Sequence, residues 1–401
     1  MQNRQHWVIF CKVIDNFGDI GVCWRLGCDL AARGVQVRLW VDDASTLAWM
    51  APAGSPDVQV LAWTAEAPRL GVDTPGDVIV AAFGCEIAPE FIAACAHSNW
   101  SNSQLGSENV AKIPPAPVCI NLEYLSAESF VERNHGLPSP VLHGPAQGMS
   151  TWFYYPGFTV RTGGLIRELG LVEQMAEFGA TDWLEQQGLA QNLFTAKLSK
   201  PPQAATRISL FCYESQALPQ LLDQLAESQT NTQLIVTAGR AQRSVVAALE
   251  DKNAQLAPWN MRKQLSISYL PSVNQKEYDH LLWACELNFV RGEDSLVRAL
   301  WAGKPFVWHI YPQGDGAHAT KLEAFLDWLD APADLRDFHR VWNGLSHPNT
   351  PLPPIDLAGW GTCAQAARQR LLAQPDLCTQ LLDFVEQKRR LASAPTSFYA
   401  G

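Results

Sequence analysis

Short apolar runs rich in β-branched residues alternate with longer amphipathic segments, and this rhythm constrains the possible folds most. In the first half the runs are Trp7–Ile14, Val35–Val41, Val58–Trp63, Val78–Phe83 and Val118–Leu125. In the second half they are Arg207–Tyr213, Gln233–Ala238, Leu265–Leu270, Leu287–Arg291 and Pro305–Tyr311. Their nearly continuous hydrophobicity predicts strands that are covered on both faces, as in parallel sheets. Strand–helix–strand repetition therefore predicts an α/β fold with two doubly wound units.

Chain length and one break in the rhythm predict two domains. A chain of 401 residues exceeds the size at which a single core usually stops growing. The break lies at Lys197–Gln203, so we expect one domain over residues 1–195 and a second over residues 204–375. The polar stretch 99–117 is expected to be a surface loop. By analogy with two-lobed enzymes, a closing helix within about residues 376–401 is expected to pack back on the first domain.

Charge and hydropathy exclude several classes of partner. The formal net charge is −10, from 30 basic and 40 acidic side chains, so a nucleic-acid partner is disfavoured and a cationic partner fits better. The first residues, MQNRQHW, lack the apolar core of a secretion signal, and no apolar run is long enough to span a bilayer. We therefore expect a cytoplasmic protein with no membrane partner.

Cysteine and histidine spacing argues against metal sites and disulfides. Of the ten cysteines, Cys11, Cys119 and Cys212 lie inside apolar runs, and no CxxC pair occurs. We expect buried, reduced thiols. His309 and His318 do not have the spacing of a zinc motif.

An acidic, glycine-containing turn follows the first predicted strand. It reads Ile14-Asp-Asn-Phe-Gly-Asp-Ile-Gly21, and it lacks the GxGxxG pattern of dinucleotide-binding enzymes. Asp15 and Asp19, on a turn made pliable by Gly18, can bind a cation, act as a base or hold a guanidinium. The alternative is that Asp19 caps the next helix and Asp15 forms an Asx-turn. The motif by itself does not decide between them.

A second motif, Arg291-Gly-Glu-Asp-Ser295, joins a predicted strand to a predicted helix. The free N–H groups of a helix N-terminus are suited to a diphosphate, and Arg291 and Ser295 add a charge and a hydroxyl. Glu293 and Asp294 would repel phosphate, so they fit better as acceptors for sugar or ribose hydroxyls. The alternative is an ordinary capped helix with acidic first-turn residues.

Three further side chains lie at or after the ends of predicted strands of the second unit: Phe211 and Tyr213 end the first strand, and Gln275 follows the third. Phe211 and Tyr213 can stack a nucleobase or line a sugar pocket, or they can belong to the core. Gln275 can read a base edge, or it can lie on a surface turn.

Six segments, in order over most of the chain, resemble the EarP family of bacterial protein-arginine rhamnosyltransferases, which modify elongation factor P. They are FCKVIDNFGDIGVCWRL (Phe10–Leu26), NLEYLSAESFVE (Asn121–Glu132), FYYPGFTVRTGGLIRE (Phe153–Glu168), LFCYE (Leu210–Glu214), FVRGEDSLVRALWAGKPFVWHIYPQ (Phe289–Gln313) and the spaced Lys321, Leu322 and Phe325.

The resemblance implies a GT-B glycosyltransferase, with two Rossmann-like domains that face each other across a cleft. It implies TDP-β-L-rhamnose as donor, an arginine of elongation factor P as acceptor, inversion at the anomeric carbon and no cofactor. The catalytic positions that it implies are Asp15, Asp19 and Glu293. The donor-binding positions are Phe211, Tyr213, Gln275, Arg291, Asp294 and Ser295, and Gly18 is assigned to the same set.

Arginine chemistry leads to a mechanistic hypothesis. The guanidinium stays protonated, with a pKa above about 12, so a carboxylate must take a proton as the C–N bond forms. We assign this to Asp19, with Asp15 orienting the guanidinium, while Arg291, Ser295 and the helix N-terminus stabilise the leaving diphosphate without a metal ion. The alternatives are a GT-B transferase with another donor or acceptor, and a non-enzymatic protein that binds the translation factor.

Overall fold

The computed structural model describes residues 4–14, 17–64, 76–94, 116–144, 146–189, 205–255 and 259–393. The chain divides into two compact units. The first comprises Met1–Leu169 together with Gln374–Gly401, and the second comprises Gly170–Ala373.

The first unit is built on a seven-stranded sheet. Its strands are β1 (His6–Cys11), β2 (Gln36–Val41), β3 (Val58–Ala62), β4 (Val78–Ala82), β5 (Val118–Leu122), β6 (Pro138–Pro140) and β7 (Ser150–Tyr154). The order is β3-β2-β1-β4-β5-β7-β6, and neighbours are parallel except for the antiparallel pair β6–β7. Its helices are α1 (Gly18–Ala32), α2 (Leu47–Met50), α3 (Ser129–Asn134) and α13 (Leu377–Ser393).

Alternate side chains of β1 enter two different cores. Trp7, Ile9 and Cys11 belong to a cluster that also contains residues of α1 and α13. Val8 and Phe10 belong to a second cluster. Because successive side chains of a strand point to opposite faces, both faces of this sheet are covered, which explains the continuous hydrophobicity of the run.

The second unit is built on a five-stranded parallel sheet. Its strands are β8 (Thr206–Leu210), β9 (Thr232–Thr237), β10 (Leu265–Leu270), β11 (Leu287–Arg291) and β12 (Phe306–His309), in the order β10-β9-β8-β11-β12. Its helices are α4 (Leu171–Glu177), α5 (Ala180–Gln186), α6 (Leu218–Ala226), α7 (Arg240–Gln255), α8 (Gln275–Ala284), α9 (Gly292–Ala302), α10 (Ala317–Leu329), α11 (Ala333–Trp342) and α12 (Leu357–Leu372). The fold is therefore α/β with two doubly wound sheets, as the sequence predicts.

Each of the ten predicted runs overlaps a strand, whereas β6 and β7 were not predicted. β6 is three exposed residues, Pro138–Pro140, at the edge of the sheet, where proline is tolerated because no ladder N–H is needed. β7 is mostly half-buried and reads Ser-Thr-Trp-Phe-Tyr, which lacks the aliphatic signature of the other strands.

The division between the units lies earlier than the expected boundary near residues 195–204. Residues 170–189 belong to the second unit, because Trp183, Leu184 and Leu189 are buried in one cluster with Leu281 and Ile235. Residues 190–204 lie outside the described residues, and so does the predicted linker Lys197–Gln203. Residues 95–115 also lie outside them, and they include most of the predicted loop 99–117.

The closing segment belongs to the first unit. Leu377, Leu381 and Val385 of α13 are buried in the same cluster as residues of α1. The guanidinium of Arg33, which follows α1, contacts the carboxylate of Asp376 at 2.8 Å.

Among the described residues, no helix combines the length and the apolar character that crossing a bilayer requires. The nine described cysteines are all reduced, and Cys95 lies outside the described residues.

Candidate active site

The carboxylate of Asp19 lies at the carboxyl edge of the first sheet. Asp19 is the second residue of α1 and is only 5% exposed. Its Oδ2 accepts a hydrogen bond from the backbone N–H of Ile14 at 2.7 Å. The helix begins after Phe17, whose side chain makes no capping hydrogen bond, so Asp19 is the second helical residue and not the N-cap residue of the alternative interpretation. The carboxylate instead holds the segment that leaves β1.

Two aromatic residues from neighbouring strands lie beside this carboxylate. The hydroxyl of Tyr124, just after β5, donates to Asp19 Oδ1 at 3.4 Å. The Tyr124 ring stacks on Phe83, just after β4, with centroids 4.6 Å apart. Because β1, β4 and β5 are parallel neighbours, their carboxyl ends bring these three residues together.

Gly18 and the thiols complete the surroundings of Asp19. Gly18 is the first residue of α1 and is half-buried. A hydrogen bond with Cys11, together with burial, holds the pKa of the Cys23 thiol well above its usual range, and the charge of Asp19 adds to this effect. This thiol therefore stays neutral next to the carboxylate. Asp15, the other predicted member of the acidic pair, lies outside the described residues.

A buried arginine dominates the carboxyl edge of the second sheet. Arg291 ends β11 and is 6% exposed. Its guanidinium carbon lies 4.4 Å from the ring centroid of Phe211 and 4.8 Å from that of Tyr213. The three predicted donor-binding residues are thus brought together, and the two rings carry the guanidinium on their faces. This contact is a cation–π interaction.

His309 adds a neutral imidazole to this edge. It ends β12, and its ring lies edge-on to Tyr213 with centroids 5.3 Å apart. Burial, and secondarily the charge of Arg291, lowers the pKa of His309 to about 3. Since both effects disfavour the imidazolium, the positive charge at this position belongs to Arg291.

The turn between β11 and α9 is fixed by buried polar contacts. Gly292 has φ 68°, a left-handed conformation that a glycine adopts without strain, and its carbonyl accepts from the Trp308 indole N–H at 2.8 Å. The Ser295 hydroxyl accepts from the Arg291 backbone N–H at 2.9 Å and donates to the Arg291 carbonyl. Ser295 is 4% exposed, so its hydroxyl closes this turn.

Glu293 lies in the first turn of α9 and pairs with Lys321 of α10. The Lys321 Nζ lies 2.5 Å from Glu293 Oε1, and the side chains are 18% and 19% exposed respectively. Asp294, the next residue, is half-buried in the same turn. Both residues thus lie in the first turn of α9, which begins directly after the buried Arg291.

Gln275 is the first residue of α8 and is half-buried. The preceding Asn274 caps this helix, with its Oδ1 accepting from the Glu277 backbone N–H at 2.9 Å. The cap fixes where α8 begins after β10, and so fixes the backbone position of Gln275 at the carboxyl edge of the sheet.

Among the described residues, one group has the composition of a cation site, and it lies away from the predicted residues. It consists of Asp29, Asp376 and Cys378. The guanidinium of Arg33 contacts both carboxylates, at 3.1 Å and 2.8 Å. The positive charge between these carboxylates is therefore the guanidinium of Arg33.

Tyr124, Phe83 and Lys321 are site residues for which the sequence predicts no role. Tyr124 and Lys321 lie within the segments that carry the family resemblance, but only the fold places them against Asp19 and Glu293. Phe83 had a weaker signal, its position at the end of a predicted strand, where ligands of open α/β sheets bind.

Comparison with known proteins identifies the family. The family model described as "Elongation-Factor P (EF-P) rhamnosyltransferase EarP" matches residues 7–386. A protein-arginine rhamnosyltransferase of Pseudomonas putida is 38% identical over 400 residues, covering 94% of this chain and 98% of the relative. Its counterpart from Pseudomonas aeruginosa is 39% identical over 397 residues, with the same coverage.

A solved structure agrees with these relatives. It is described as "Structural basis for EarP-mediated arginine glycosylation of translation elongation factor EF-P". It is 27% identical in sequence, covers 96% of this chain and 99% of its own, and superimposes with a TM-score of 0.58. The chain therefore belongs to the EarP family of protein-arginine rhamnosyltransferases, and it is a glycosyltransferase.

Proposed function

We propose that this enzyme transfers L-rhamnose from TDP-β-L-rhamnose to the guanidinium of one arginine of elongation factor P. The reaction inverts the anomeric carbon, needs no metal ion and takes place in the cytoplasm. Membership of the EarP family supports the sugar and the acceptor group, since the matched relatives are named protein-arginine rhamnosyltransferases. The matched structure, which concerns EarP-mediated arginine glycosylation of the translation elongation factor EF-P, supports the acceptor protein.

The observation that carries the chemistry is the buried carboxylate of Asp19. Full deprotonation of an arginine at pH 7 costs roughly 7 to 9 kcal/mol, at about 1.36 kcal/mol per pKa unit. A general base that takes the proton while the C–N bond forms avoids that cost. Asp19 suits this role because its two oxygens are held by Ile14 N–H and Tyr124 hydroxyl, so its orientation is set before the acceptor arrives. In this proposal Asp15, from the same turn, orients the guanidinium.

The donor is assigned to the carboxyl edge of the second sheet. A leaving nucleoside diphosphate gains negative charge, and the buried Arg291 together with the N-terminus of α9 offers fixed positive charge to it. Glu293 and Asp294 accept hydrogen bonds from sugar or ribose hydroxyls. The nucleotide site is lined by Phe211, Tyr213 and Gln275. Ser295 contributes by closing the turn that carries these groups.

The test is the intact mass of elongation factor P after incubation with this protein and TDP-β-L-rhamnose, with and without EDTA. We expect a gain of one deoxyhexose in both samples, and no gain when the acceptor arginine is replaced by lysine. NMR of the anomeric proton reports inversion. No mass change despite calorimetric binding of the donor would overturn the proposed acceptor, and loss of transfer in EDTA would overturn the metal-independent reaction.

Two substitutions of matched aspartates test the base. Asp19→Asn keeps an oxygen that can accept from Ile14 N–H but removes the basic charge, so we expect at least about a 100-fold loss of kcat. Asp42 also accepts a backbone N–H from the segment after β1, that of Val13 at 2.9 Å, and it follows β2 at the same sheet edge. Asp42→Asn is the control and should retain activity. Equal rates for the two variants would remove Asp19 from the mechanism.

A further inference from the structure

A tight turn presents the Phe83 ring to Tyr124. Phe83 and Gly84 both have positive φ, 58° and 70°, and Cys85 N–H closes the turn on the Ala82 carbonyl at 3.2 Å. A left-handed phenylalanine is rare, and such a conformation persists where the surroundings fix it. The result is a nearly parallel stack of Phe83 on Tyr124, with 18° between the ring planes.

The stacked pair is next to Asp19 and partly open to solvent. Tyr124 is 36% exposed although Phe83 covers one face of its ring. Its hydroxyl lies 3.4 Å from Asp19 Oδ1, so the ring edge and the carboxylate are neighbours at one sheet edge. A carboxylate beside an accessible aromatic surface is the arrangement that a planar guanidinium requires, because it accepts in-plane hydrogen bonds while the ring receives the flat face.

On this basis, and resting on the proposed function, we infer that Tyr124 and Phe83 form the acceptor-arginine platform. Tyr124 is a positioning residue for Asp19 through its hydroxyl, and its ring, backed by Phe83, receives the face of the guanidinium. The hydroxyl and the ring thus have separable roles. The hydroxyl acts on the rate, by orienting and holding the ionised Asp19. The aromatic surface acts on acceptor binding.

Three variants separate these roles. Tyr124→Phe removes only the hydroxyl. It should lower kcat about three- to tenfold, the effect of a hydrogen bond of ordinary strength, since this contact is long at 3.4 Å, while the KM for elongation factor P stays within about twofold. Loss of a hydrogen bond to the ionised carboxylate raises its pKa, so the acid limb of the pH–rate profile should move to higher pH. Tyr124→Leu should in addition raise the acceptor KM by roughly 5- to 30-fold, the range of a cation–π contact. Phe83→Leu should raise the acceptor KM without moving the acid limb.

The matched control is Tyr155→Phe. Tyr155 also stacks on a phenylalanine of the first unit, Phe153, with centroids 6.5 Å apart, and this variant should leave kcat, KM and the pH profile unchanged. The KM for TDP-β-L-rhamnose is measured for every variant and should be unaffected. Thermal unfolding shows that each variant is folded at the assay temperature, although the variants that remove the ring stack should unfold at a somewhat lower temperature. An unmoved acid limb in Tyr124→Phe, or an unchanged acceptor KM in Tyr124→Leu, would overturn the corresponding role.

A second readout keeps the inference separate from the proposed acceptor protein. L-arginine amide is titrated into the full chain and followed by calorimetry, with no donor present. If the wild-type chain does not modify elongation factor P but binds arginine amide, and Tyr124→Leu weakens that binding at least about fivefold, the platform stands and the acceptor protein is wrong. If the wild-type chain modifies elongation factor P, and neither Tyr124→Leu nor Phe83→Leu changes acceptor binding, the proposed function stands and the platform is wrong.

Discussion

Arg298 and Asp279 form a buried two-point ion pair, with Nε 2.9 Å from Oδ1 and Nη2 2.8 Å from Oδ2. Arg298 lies in α9 and Asp279 in α8, and the side chains are 2% and 7% exposed. The pair therefore fixes α9, whose first turn carries Glu293, relative to α8, which begins at Gln275. This ion pair therefore links, outside the sheet, two helices whose first turns carry predicted site residues.

Removing one partner of this pair should destabilise the second unit strongly. Asp279→Ala leaves the Arg298 guanidinium buried without its carboxylate, so we expect the free energy of unfolding to fall by about 3 to 5 kcal/mol. Urea unfolding followed by tryptophan fluorescence measures it. The control is Asp327→Ala, which breaks the Arg336–Asp327 pair at 2.7 Å, where the aspartate side chain is 73% exposed. That variant should cost less than about 1 kcal/mol, and similar costs for both would contradict the interpretation.

A second prediction concerns the shape of the Arg291 side chain. The guanidinium lies over the rings of Phe211 and Tyr213, a contact that depends on a planar group as well as on charge. Arg291→Lys keeps the charge but loses the stacked plane, so we expect the Kd for TDP to rise roughly tenfold. Calorimetry measures it, with the exposed Arg243→Lys of α7 as control. An unchanged Kd would mean that charge alone is required.

The fold could be predicted from the sequence because its strands are buried on both faces. β1 supplies alternate residues to two cores, so every position of His6–Cys11 after the first is apolar. β6 and β7 were not predicted, because a pair of strands at the sheet edge does not need a continuous run of apolar residues. β6 consists of Pro138, Ser139 and Pro140. The expected domain boundary lies after the observed one, which follows Leu169. The pattern around Trp183 and Leu184 indicates a helix, but it does not show which of the two units buries that helix.

The site could be predicted only in part, because motifs identify residues and not their contacts. The sequence placed Phe211, Tyr213 and Arg291 at the ends of predicted strands, the family resemblance assigned them to the donor, and the parallel sheet brings them together. It assigned the Ser295 hydroxyl to a diphosphate, whereas that hydroxyl contacts the Arg291 backbone. The Tyr124–Asp19 contact joins residues 105 positions apart, and no local pattern reports such a distance.

A third prediction concerns the charge of Glu293. Its carboxylate lies 2.5 Å from the Lys321 ammonium, and Glu293→Gln keeps an oxygen for that contact while it removes the charge. We expect kcat to fall by roughly 100-fold while TDP binding persists, because a neutral amide accepts more weakly than a carboxylate from the sugar hydroxyls assigned to Glu293. The control is Glu286→Gln. Glu286 is likewise ion-paired, to Arg207 at 2.9 Å, but it precedes the first residue of β11, whereas Glu293 follows the last. Comparable kcat values for the two variants would argue against a catalytic Glu293.

The last prediction concerns the dependence of stability on pH. His339 is fully buried, its Nε2 accepts from the Trp308 backbone N–H at 3.0 Å, and its Nδ1 lies 2.9 Å from the Leu335 carbonyl. Only the neutral ring with its proton on Nδ1 satisfies both contacts. Burial lowers the pKa of His339 to about 4, against smaller opposing effects of the Leu335 carbonyl and Glu323.

Between the ordinary histidine pKa of 6.5 and this lowered value, the unfolded chain binds the proton and the folded chain does not. Stability from His339 is therefore full above about pH 6.5 and is lost as the pH falls toward 4, by about 2 kcal/mol at pH 5. Urea unfolding at pH 7, 6 and 5 measures the loss in the wild-type chain. His339→Gln, which can still accept from Trp308 N–H, should show a fall that is smaller by that amount, since all the other titratable groups are present in both proteins. Parallel curves for the two proteins would show that His339 does not carry this dependence.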